Sequence, residues 1–253
     1  MQILEEQLHA EVAERGIGKI PVGISSCLLG ERVRYDGGHK ANSYVAETLS
    51  NYFEFRKFCP ELDIGLGVPR KPIRLTRKNS GRIHCISVDD SGRDYTEALT
   101  QCADAQQHWH EKLCAYILKS DSPSCGMQGV KICVDTMSIP EGVGVYAAKM
   151  MENFPWLPVE EEGRLGDAIL RDNFIQRVIV MRRWHQLNER AFNVAGLLEF
   201  HARHKLIVMR HDQLSYHRLS ELVAATSKDK LQQNASIYLL QLMQALKISV
   251  TTD

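Results

Sequence analysis

Three cysteines stand where an apolar run of the sequence gives way to turn-forming residues. Cys27 and Cys59 each end such a run, and Cys125 lies in the loop 122–126, Ser-Pro-Ser-Cys-Gly, after a third run. Reactive groups are commonly presented at such element ends. Because the carboxyl ends of parallel strands gather at one edge of a sheet, where ligands bind, we expect these three thiols to converge on one site.

Three thiolates with a nearby carboxylate suit an iron–sulfur centre. Four thiolates satisfy every iron of a cubane cluster, so three leave one iron without a protein ligand. Such an iron is a soft Lewis acid that prefers sulfur, including the sulfur of a thiocarbonyl compound. Glu61, two residues after Cys59, is placed to act as an acid or base, and Ser122, three residues before Cys125, to position or relay a proton.

Two other interpretations stay open on the residues alone. Free cysteine is among the most buried residue types, so core packing explains cysteines without chemistry, and it is the interpretation for Cys85, Cys102, Cys114 and Cys133 inside predicted strands and helices. Catalytic zinc also takes three protein ligands and a water. A zinc deaminase, however, needs a Pro-Cys-x-x-Cys element, which the sequence lacks.

The elements that must position these residues alternate between strand and helix from residue 20 to about 155. The predicted strands are 20–26, 53–58, 83–88 and 130–134, with 113–118 as a strand or a helix end, and the predicted helices are 1–15, 41–52, 95–113 and 143–153. This alternation predicts an α/β, Rossmann-like layered domain with a mainly parallel sheet.

Beyond an acidic, proline-bearing connector at 154–163, the pattern changes to helices alone. The predicted helices are 165–174, 175–186, 188–203, 205–222 and 230–246. We therefore predict two domains, an α/β domain over residues 1–155 and an all-α domain over residues 156–253.

The composition is that of an ordinary globular protein, with 44% hydrophobic and 25% charged residues in 253. No apolar run approaches the length of a membrane span, and no signal peptide is recognisable, so we expect a cytoplasmic protein with no membrane partner. Seven cysteines, an odd number, in such a protein argue against a disulfide framework.

The net charge is zero, but basic residues are concentrated in two regions. Residues 70–82 contain six Lys or Arg, Lys78 among them, and no acidic residue, while residues 164–230 contain 12 Lys or Arg, 7 Asp or Glu and five histidines. Each region is either a solvated face or a surface for nucleic-acid phosphates. For the second interpretation, the residues predicted to contact phosphate are Arg70, Lys71, Arg74, Arg203, Lys205 and Arg210.

Three motifs together resemble the thiouracil desulfidase family across roughly residues 18–155. They are Cys27-Leu28-Leu29-Gly30 with Tyr35-Asp36-Gly37, Cys59-Pro60-Glu61 with Gly67-x-Pro69-Arg70, and Ser122-Pro123-Ser124-Cys125-Gly126. The remainder, with Phe200-x-x-Arg203-His204-Lys205 and Tyr216-x-x-Leu219, resembles a helical domain often fused to the first. The pair is similar to the subfamily of tRNA thiouridine desulfidases.

The resemblance implies a 4Fe-4S cluster held by Cys27, Cys59 and Cys125, with its fourth iron binding the substrate sulfur. The family's assisting glutamate and serine match Glu61 and Ser122. The implied reaction replaces the thiocarbonyl sulfur of thiouridine, expected to be 4-thiouridine in tRNA, by oxygen from water. Two alternatives remain: a desulfidase of free thiouracil or thionucleosides, and a non-catalytic iron–sulfur regulator that binds nucleic acid and has no use for Glu61 and Ser122.

Overall fold

A computed structural model describes residues 2–13, 18–77, 81–190 and 192–247. Lys78 of the basic run, and residues 1, 14 and 15 of the first predicted helix, lie outside these ranges. The chain forms two units. The α/β unit comprises Lys19–Phe154 and Val159–Gly166, and the helical unit comprises Met1–Gly18, Pro155–Pro158 and Asp167–Asp253.

The described secondary structure contains strands in the α/β unit and helices in both units. The strands are β1 Ile20–Ser25, β2 Phe53–Phe58, β3 Ile73–Arg77, β4 Ile83–Ser87, β5 Ala115–Leu118, β6 Val130–Val134, β7 Met137–Gly142 and β8 Val159–Glu161. The helices are α1 Gln2–Ala13, α2 Pro60–Asp63, α3 Thr96–Ala105, α4 Gln107–His110, α5 Val145–Asn153, α6 Ala168–Glu189, α7 Val194–His211, α8 Gln213–Ala224 and α9 Leu231–Leu246.

The first sheet is parallel throughout, in the order β2-β1-β5-β8. Every residue of β5 and all but one of β1 are buried, which explains their continuous apolar sequences. This sheet confirms the predicted α/β class. It also moves the domain boundary from residue 155, because β8, which lies within the predicted connector, returns to pair with β5.

A second sheet, in the order β4-β3-β6-β7, is mixed rather than parallel. Strand β3 is antiparallel to β4 and parallel to β6, and β6 and β7 pair as antiparallel neighbours. Strands β3, β7 and β8 are absent from the prediction, and β8 lies within the segment 154–163 that was predicted as a connector. In the described part of the chain, only helices follow that segment, as predicted. The prediction of a mainly parallel sheet therefore describes the first sheet only.

Two predicted helices of the α/β unit differ from the structure. Residues 95–113 are divided into α3 and α4, and Leu113 lies beyond both. Residues 41–52 contain a π-helical turn at Tyr44–Thr48 and a 3-10 turn at Leu49–Asn51 instead of one α-helix.

The helical unit contains only helices among its described residues, as predicted, and α1 joins it. The predicted break at residue 175 is wrong, because α6 continues for 22 residues. Its core includes Trp184, Phe200 and Tyr238, whose rings pack against one another. No helix in the described part of the chain has the length and apolar character needed to cross a membrane.

Gly23 in the middle of β1 provides a test of this packing. A Cβ atom there would lie 2.5 Å from Cδ2 of Tyr116 and 2.8 Å from Cδ1 of Leu113. We expect Gly23→Ala to lower the free energy of unfolding by about 1–3 kcal/mol, because one methyl group overpacks the sheet. Denaturant titration measures this, with Gly166→Ala as the control, since a Cβ at Gly166 meets nothing within 4 Å. Equal effects of the two variants would contradict the packing argument.

Candidate active site

The three cysteines lie beyond the carboxyl ends of three neighbouring strands of the parallel sheet. Cys27 is in the 3-10 turn Ser26–Leu29 directly after β1, Cys59 is between β2 and α2, and Cys125 is in the loop after β5. All three line one pocket of about 710 Å³, together with Glu61 and Ser122. The structure thus brings together the five residues singled out for chemistry.

The turn that carries Cys27 is fixed by its backbone. The carbonyl oxygen of Cys27 accepts the N–H groups of Gly30 at 3.4 Å and Lys40 at 2.9 Å. Gly30 has φ of 87°, a left-handed conformation that glycine adopts without steric cost. The Cys27-x-x-Gly30 spacing therefore ends the turn and holds the thiol at the pocket.

The loop 122–126 is held by the first turn of α5. The N–H groups of Gly144, Val145 and Ala147 donate to the carbonyl oxygens of Gly126, Pro123 and Ser124, at 2.8, 3.0 and 3.1 Å respectively. A Cβ atom at residue 144 would lie 2.5 Å from the backbone carbon of Ser124. This close approach requires glycine, and it leaves the loop backbone little freedom.

A hydrogen-bonded network joins Glu61 to its neighbours in the pocket. Arg70 contacts Oε2 of Glu61 through Nε at 2.8 Å and Nη2 at 2.7 Å. Ser124 donates to Oε1 of Glu61 at 2.7 Å, and its Oγ lies 3.0 Å from Oγ of Ser122. The backbone N–H of Cys125 donates to Oγ of Ser122 at 3.1 Å. Both oxygens of Glu61 are thereby oriented before any ligand binds.

Arg70 occupies a position different from the one expected for a phosphate contact. Its side chain is only 6% exposed, and besides Glu61 it donates to the carbonyl oxygen of Gly67 at 2.8 Å. The two bonds to Glu61 suit the fork of donors that a guanidinium presents to a carboxylate. We therefore assign Arg70 to the pocket as the partner of Glu61 and remove it from the proposed phosphate surface.

Burial dominates the electrostatics of the three thiols. It raises the pKa of Cys27 to about 11, although Arg34 and Lys119 oppose the shift. Burial also raises the pKa of Cys59 and of Cys125, and the proximity of Cys59 raises that of Cys125 further. Without a metal the three groups are therefore neutral thiols at neutral pH, and binding of iron would release their protons.

Two features of the pocket had no counterpart in the sequence interpretation. Lys119 forms a half-buried ion pair with Glu162 at 2.5 Å, and Ser120 bonds to both oxygens of Glu162. Tyr35 lines the pocket with a 41% exposed ring, and the guanidinium of Arg34 lies 5.5 Å from the ring centroid. The resemblance motif contained Tyr35, but no sequence signal linked Lys119 to Glu162.

The other four cysteines lie outside the pocket lining, as the packing interpretation expects. Cys85, Cys102 and Cys114 are buried, and Cys133 on β6 is half-buried. Cys102 donates to Oδ2 of Asp63 at 3.2 Å.

The remaining residues predicted to contact phosphate lie in both units. In the α/β unit, Lys71 is 73% exposed and 3.5 Å from Oδ2 of Asp89, and Arg74 on β3 is half-buried. In the helical unit, Arg203, Lys205 and Arg210 are exposed on α7. At 3.6 residues per turn, Arg203 and Arg210 share a face of α7, and Lys205 lies on roughly the opposite face. The three residues therefore do not form one continuous patch.

Two histidines of the predicted basic surface belong instead to the core of the helical unit. His204 is 1% exposed and bonds to the carbonyl oxygen of Phe200 at 2.7 Å, and burial lowers its pKa to about 4. His201 lies between Oη of Tyr238 and Oγ of Ser220, at 3.1 Å from each, and burial lowers its pKa as well. Both are neutral at pH 7 and add nothing to a positive surface.

Comparisons with known proteins identify relatives of the α/β unit. A family model described as 2-thiouracil desulfurase matches residues 22–162. The uncharacterized protein YbbK of Bacillus subtilis (strain 168) is 32% identical over 108 residues, which cover 41% of this chain and 71% of YbbK. The solved structure of TudS, a 4Fe-4S-dependent thiouracil desulfidase, is 28% identical with a TM-score of 0.46, and the match covers 60% of this chain and 97% of that one.

The raised thiol pKa of Cys27 gives a prediction for the iron-free protein. A thiol of ordinary pKa, about 8.5, gains little reactivity above pH 9 because it is already largely thiolate. With its pKa at about 11, Cys27 should continue to react faster with iodoacetamide as the pH rises from 9 to 10.5. Residue-level mass spectrometry follows the rate, with the denatured protein as the control. A plateau at pH 9 in the folded protein would show that burial does not raise this pKa.

Proposed function

The chain belongs to the 2-thiouracil desulfurase family, and from this premise we propose that it uses a 4Fe-4S cluster to remove the thiocarbonyl sulfur of thiouridine in tRNA. The first thiouridine to test is 4-thiouridine. The observation that carries the proposal is the shared pocket. Thiols from the ends of three adjacent parallel strands line it together with an oriented glutamate and a serine.

The donor set fits the cluster. Cys27, Cys59 and Cys125 would hold it, since among the described residues no other cysteine lines the pocket. Three thiolates for four irons leave one iron open, and when bound the cluster supplies a Lewis acid for the thiocarbonyl sulfur. TudS, a 4Fe-4S-dependent enzyme by its name, uses a cofactor of this kind.

The chain's own residues supply orientation and proton transfer. The overall change, from C=S and water to C=O and hydrogen sulfide, needs no electrons but requires two protons of water to reach sulfur. Glu61 is the acid–base group, because it is the carboxylate in the pocket that faces the serines of the cysteine loop. Arg70 holds Oε2 and so directs Oε1 toward Ser124 and Ser122.

The basic residues of the helical unit favour tRNA, a large substrate. Residues 164–230 carry more basic than acidic residues, and Arg203, Lys205 and Arg210 are exposed there. Exposed lysine and arginine residues are the usual contacts to nucleic-acid phosphates. With Lys71 and Arg74 they are the proposed tRNA contacts.

A free thiobase is the second candidate substrate. The family match ends at residue 162, and every residue assigned to the chemistry lies within the α/β unit. The pocket volume of about 710 Å³ is ordinary for a small-molecule site. The α/β unit therefore contains what a small thiolated pyrimidine needs, and the basic residues outside the pocket lining are what favours tRNA.

Measurement of sulfide release from thiolated tRNA and from free thiouracil distinguishes the two candidate substrates. We expect a much higher kcat/KM for tRNA, and we expect Arg210→Glu to raise KM for tRNA several-fold without changing turnover of thiouracil, because reversing a phosphate contact weakens only RNA binding. Ala202→Glu, on another exposed position of α7, is the control for added negative charge. Equal kcat/KM for the two substrates would refute the tRNA assignment.

Iron analysis distinguishes variants of the cluster ligands from a variant of the acid–base residue. Cys27→Ser, Cys59→Ser or Cys125→Ser should each lower the iron content and visible absorption of protein purified without air, since each removes a thiolate ligand. Glu61→Ala should keep the iron and lose at least about 100-fold in turnover, as expected for loss of acid–base catalysis.

Cys133→Ser is the matched control, because Cys133 is half-buried outside the pocket and should be dispensable for iron. Full turnover of Glu61→Ala would remove the glutamate from the mechanism. An iron-bound parent protein without turnover on any thiolated substrate would favour the regulator.

A further inference from the structure

Ser124 has no role so far in either the sequence interpretation or the resemblance, yet it lies at the centre of the pocket's hydrogen bonds. Its side chain is fully buried. Its Oγ lies 2.7 Å from Oε1 of Glu61 and 3.0 Å from Oγ of Ser122. Among the hydrogen bonds of the described residues, none joins Ser122 directly to Glu61, so Ser124 is the connection between them.

The direction of these hydrogen bonds follows from the groups involved. Glu61 is ion-paired with Arg70 and its carboxylate only accepts, so the single hydroxyl proton of Ser124 is donated to Oε1. The other possible acceptor, Sγ of Cys125 at 3.6 Å, is a weak one at a long distance. The lone pairs of Ser124 are then free to accept the hydroxyl proton of Ser122.

The backbone keeps this arrangement in place. The carbonyl oxygen of Ser124 accepts the N–H of Ala147 at 3.1 Å, and the close approach of Gly144 leaves no space for the loop to shift. On the other side, the N–H of Cys125 donates to Oγ of Ser122 and orients that hydroxyl. Because Ser124 is buried, bulk water has no access to replace its hydroxyl.

We propose that Ser124 is a positioning residue that joins Ser122 and Glu61 into one proton path, an inference that rests on the proposed desulfidase function. As water adds to the thiocarbonyl carbon, its proton passes to Oγ of Ser122, the Ser122 proton passes to Oγ of Ser124, and the Ser124 proton passes to Oε1 of Glu61. Both serines end neutral, and no electrons are exchanged. The C–O bond has then formed, and the π electrons of C=S rest on sulfur. The proton on Glu61 returns through Ser124 and Ser122 to that sulfur, and a second passage along the same path carries the proton of the new C–OH group to sulfur as C=O forms and the C–S bond breaks. Hydrogen sulfide thus leaves with both protons of the water.

A double-mutant cycle with free thiouracil as substrate tests the path. Ser124→Ala and Ser122→Ala should each lower kcat by about 10- to 100-fold, the range of one proton-transfer contribution. Their combination should be no slower than the slower single variant, because either change breaks the same path. KM, iron content and visible absorption should stay unchanged in all three variants.

Ser87→Ala is the matched control. Ser87 is also a buried serine whose hydroxyl donates to a carboxylate, Oδ1 of Asp89 at 2.6 Å, but it lies on β4 outside the pocket lining. Its kcat should equal that of the parent protein. Full kcat in Ser124→Ala, or losses that multiply in the double variant, would overturn the shared path.

A measurement that needs no turnover separates this inference from the proposed function. In iron-free protein, the amide of Cys125 is protected by its bond to Oγ of Ser122. Ser124→Ala should speed hydrogen exchange of that amide at least several-fold, whereas Ser87→Ala should not, since of these two serines only Ser124 bonds to the Ser122 hydroxyl. Faster exchange in a protein without turnover would support the positioning role while the desulfidase function fails. Unchanged exchange would overturn the positioning role even in an active enzyme.

Discussion

Parallel pairing of β1 with both β2 and β5 is the constraint on which the site depends. The register places Ser25 opposite Phe58 and Ile24 opposite Ile117, so the three strands end at the same edge. An antiparallel partner would deliver its cysteine to the other edge, about the length of a strand away. Because β1 and β5 are buried on both faces, a slip of one residue would exchange the side chains that pack on the two sides of the sheet, so packing fixes the register and with it the meeting of the thiols.

The parts of the fold that could be predicted are those whose local sequence shows an apolar run or a helical periodicity. Strands β1, β2 and β5 lie within or coincide with predicted apolar runs, and the helical unit follows from helical periodicity. Strands β3, β7 and β8 lack such a signal: β8 pairs with the distant β5, β3 pairs with both β4 and the distant β6, and β7 forms a hairpin with β6. Arg74 and Arg77 make β3 resemble a charged segment, Pro140 argues against β7, and two glutamates make β8 resemble a linker.

The residues of the site likewise divide into those that the local sequence indicates and those that only the fold brings together. The cysteines, Glu61 and Ser122 were recognisable because each stands beside a turn signal, and local sequence determines such turns. The function of Arg70 was not recognisable, because its contact with Glu61 on α2 depends on how the chain folds between the two residues, and residue type with basic neighbours favoured phosphate. Ser124 and the pair of Lys119 with Glu162 were missed because their hydrogen bonds join residues 63 and 43 positions apart, respectively.

Charge in the pocket explains why basic residues of this chain cannot share one role. Arg34, Lys40, Arg70 and Lys119 line the pocket with Glu61, Asp121 and Glu162, a surplus of one positive charge before the thiols ionise. Burial opposes thiolate formation at Cys27, and Arg34 and Lys119 act against that penalty. A buried guanidinium that already pairs with a carboxylate gains little from a phosphate, because the carboxylate would then lose its partner. Position therefore divides the basic residues: Arg34, Arg70 and Lys119 serve the carboxylates and thiolates of the pocket, and basic residues outside the pocket lining are left for the proposed tRNA contacts.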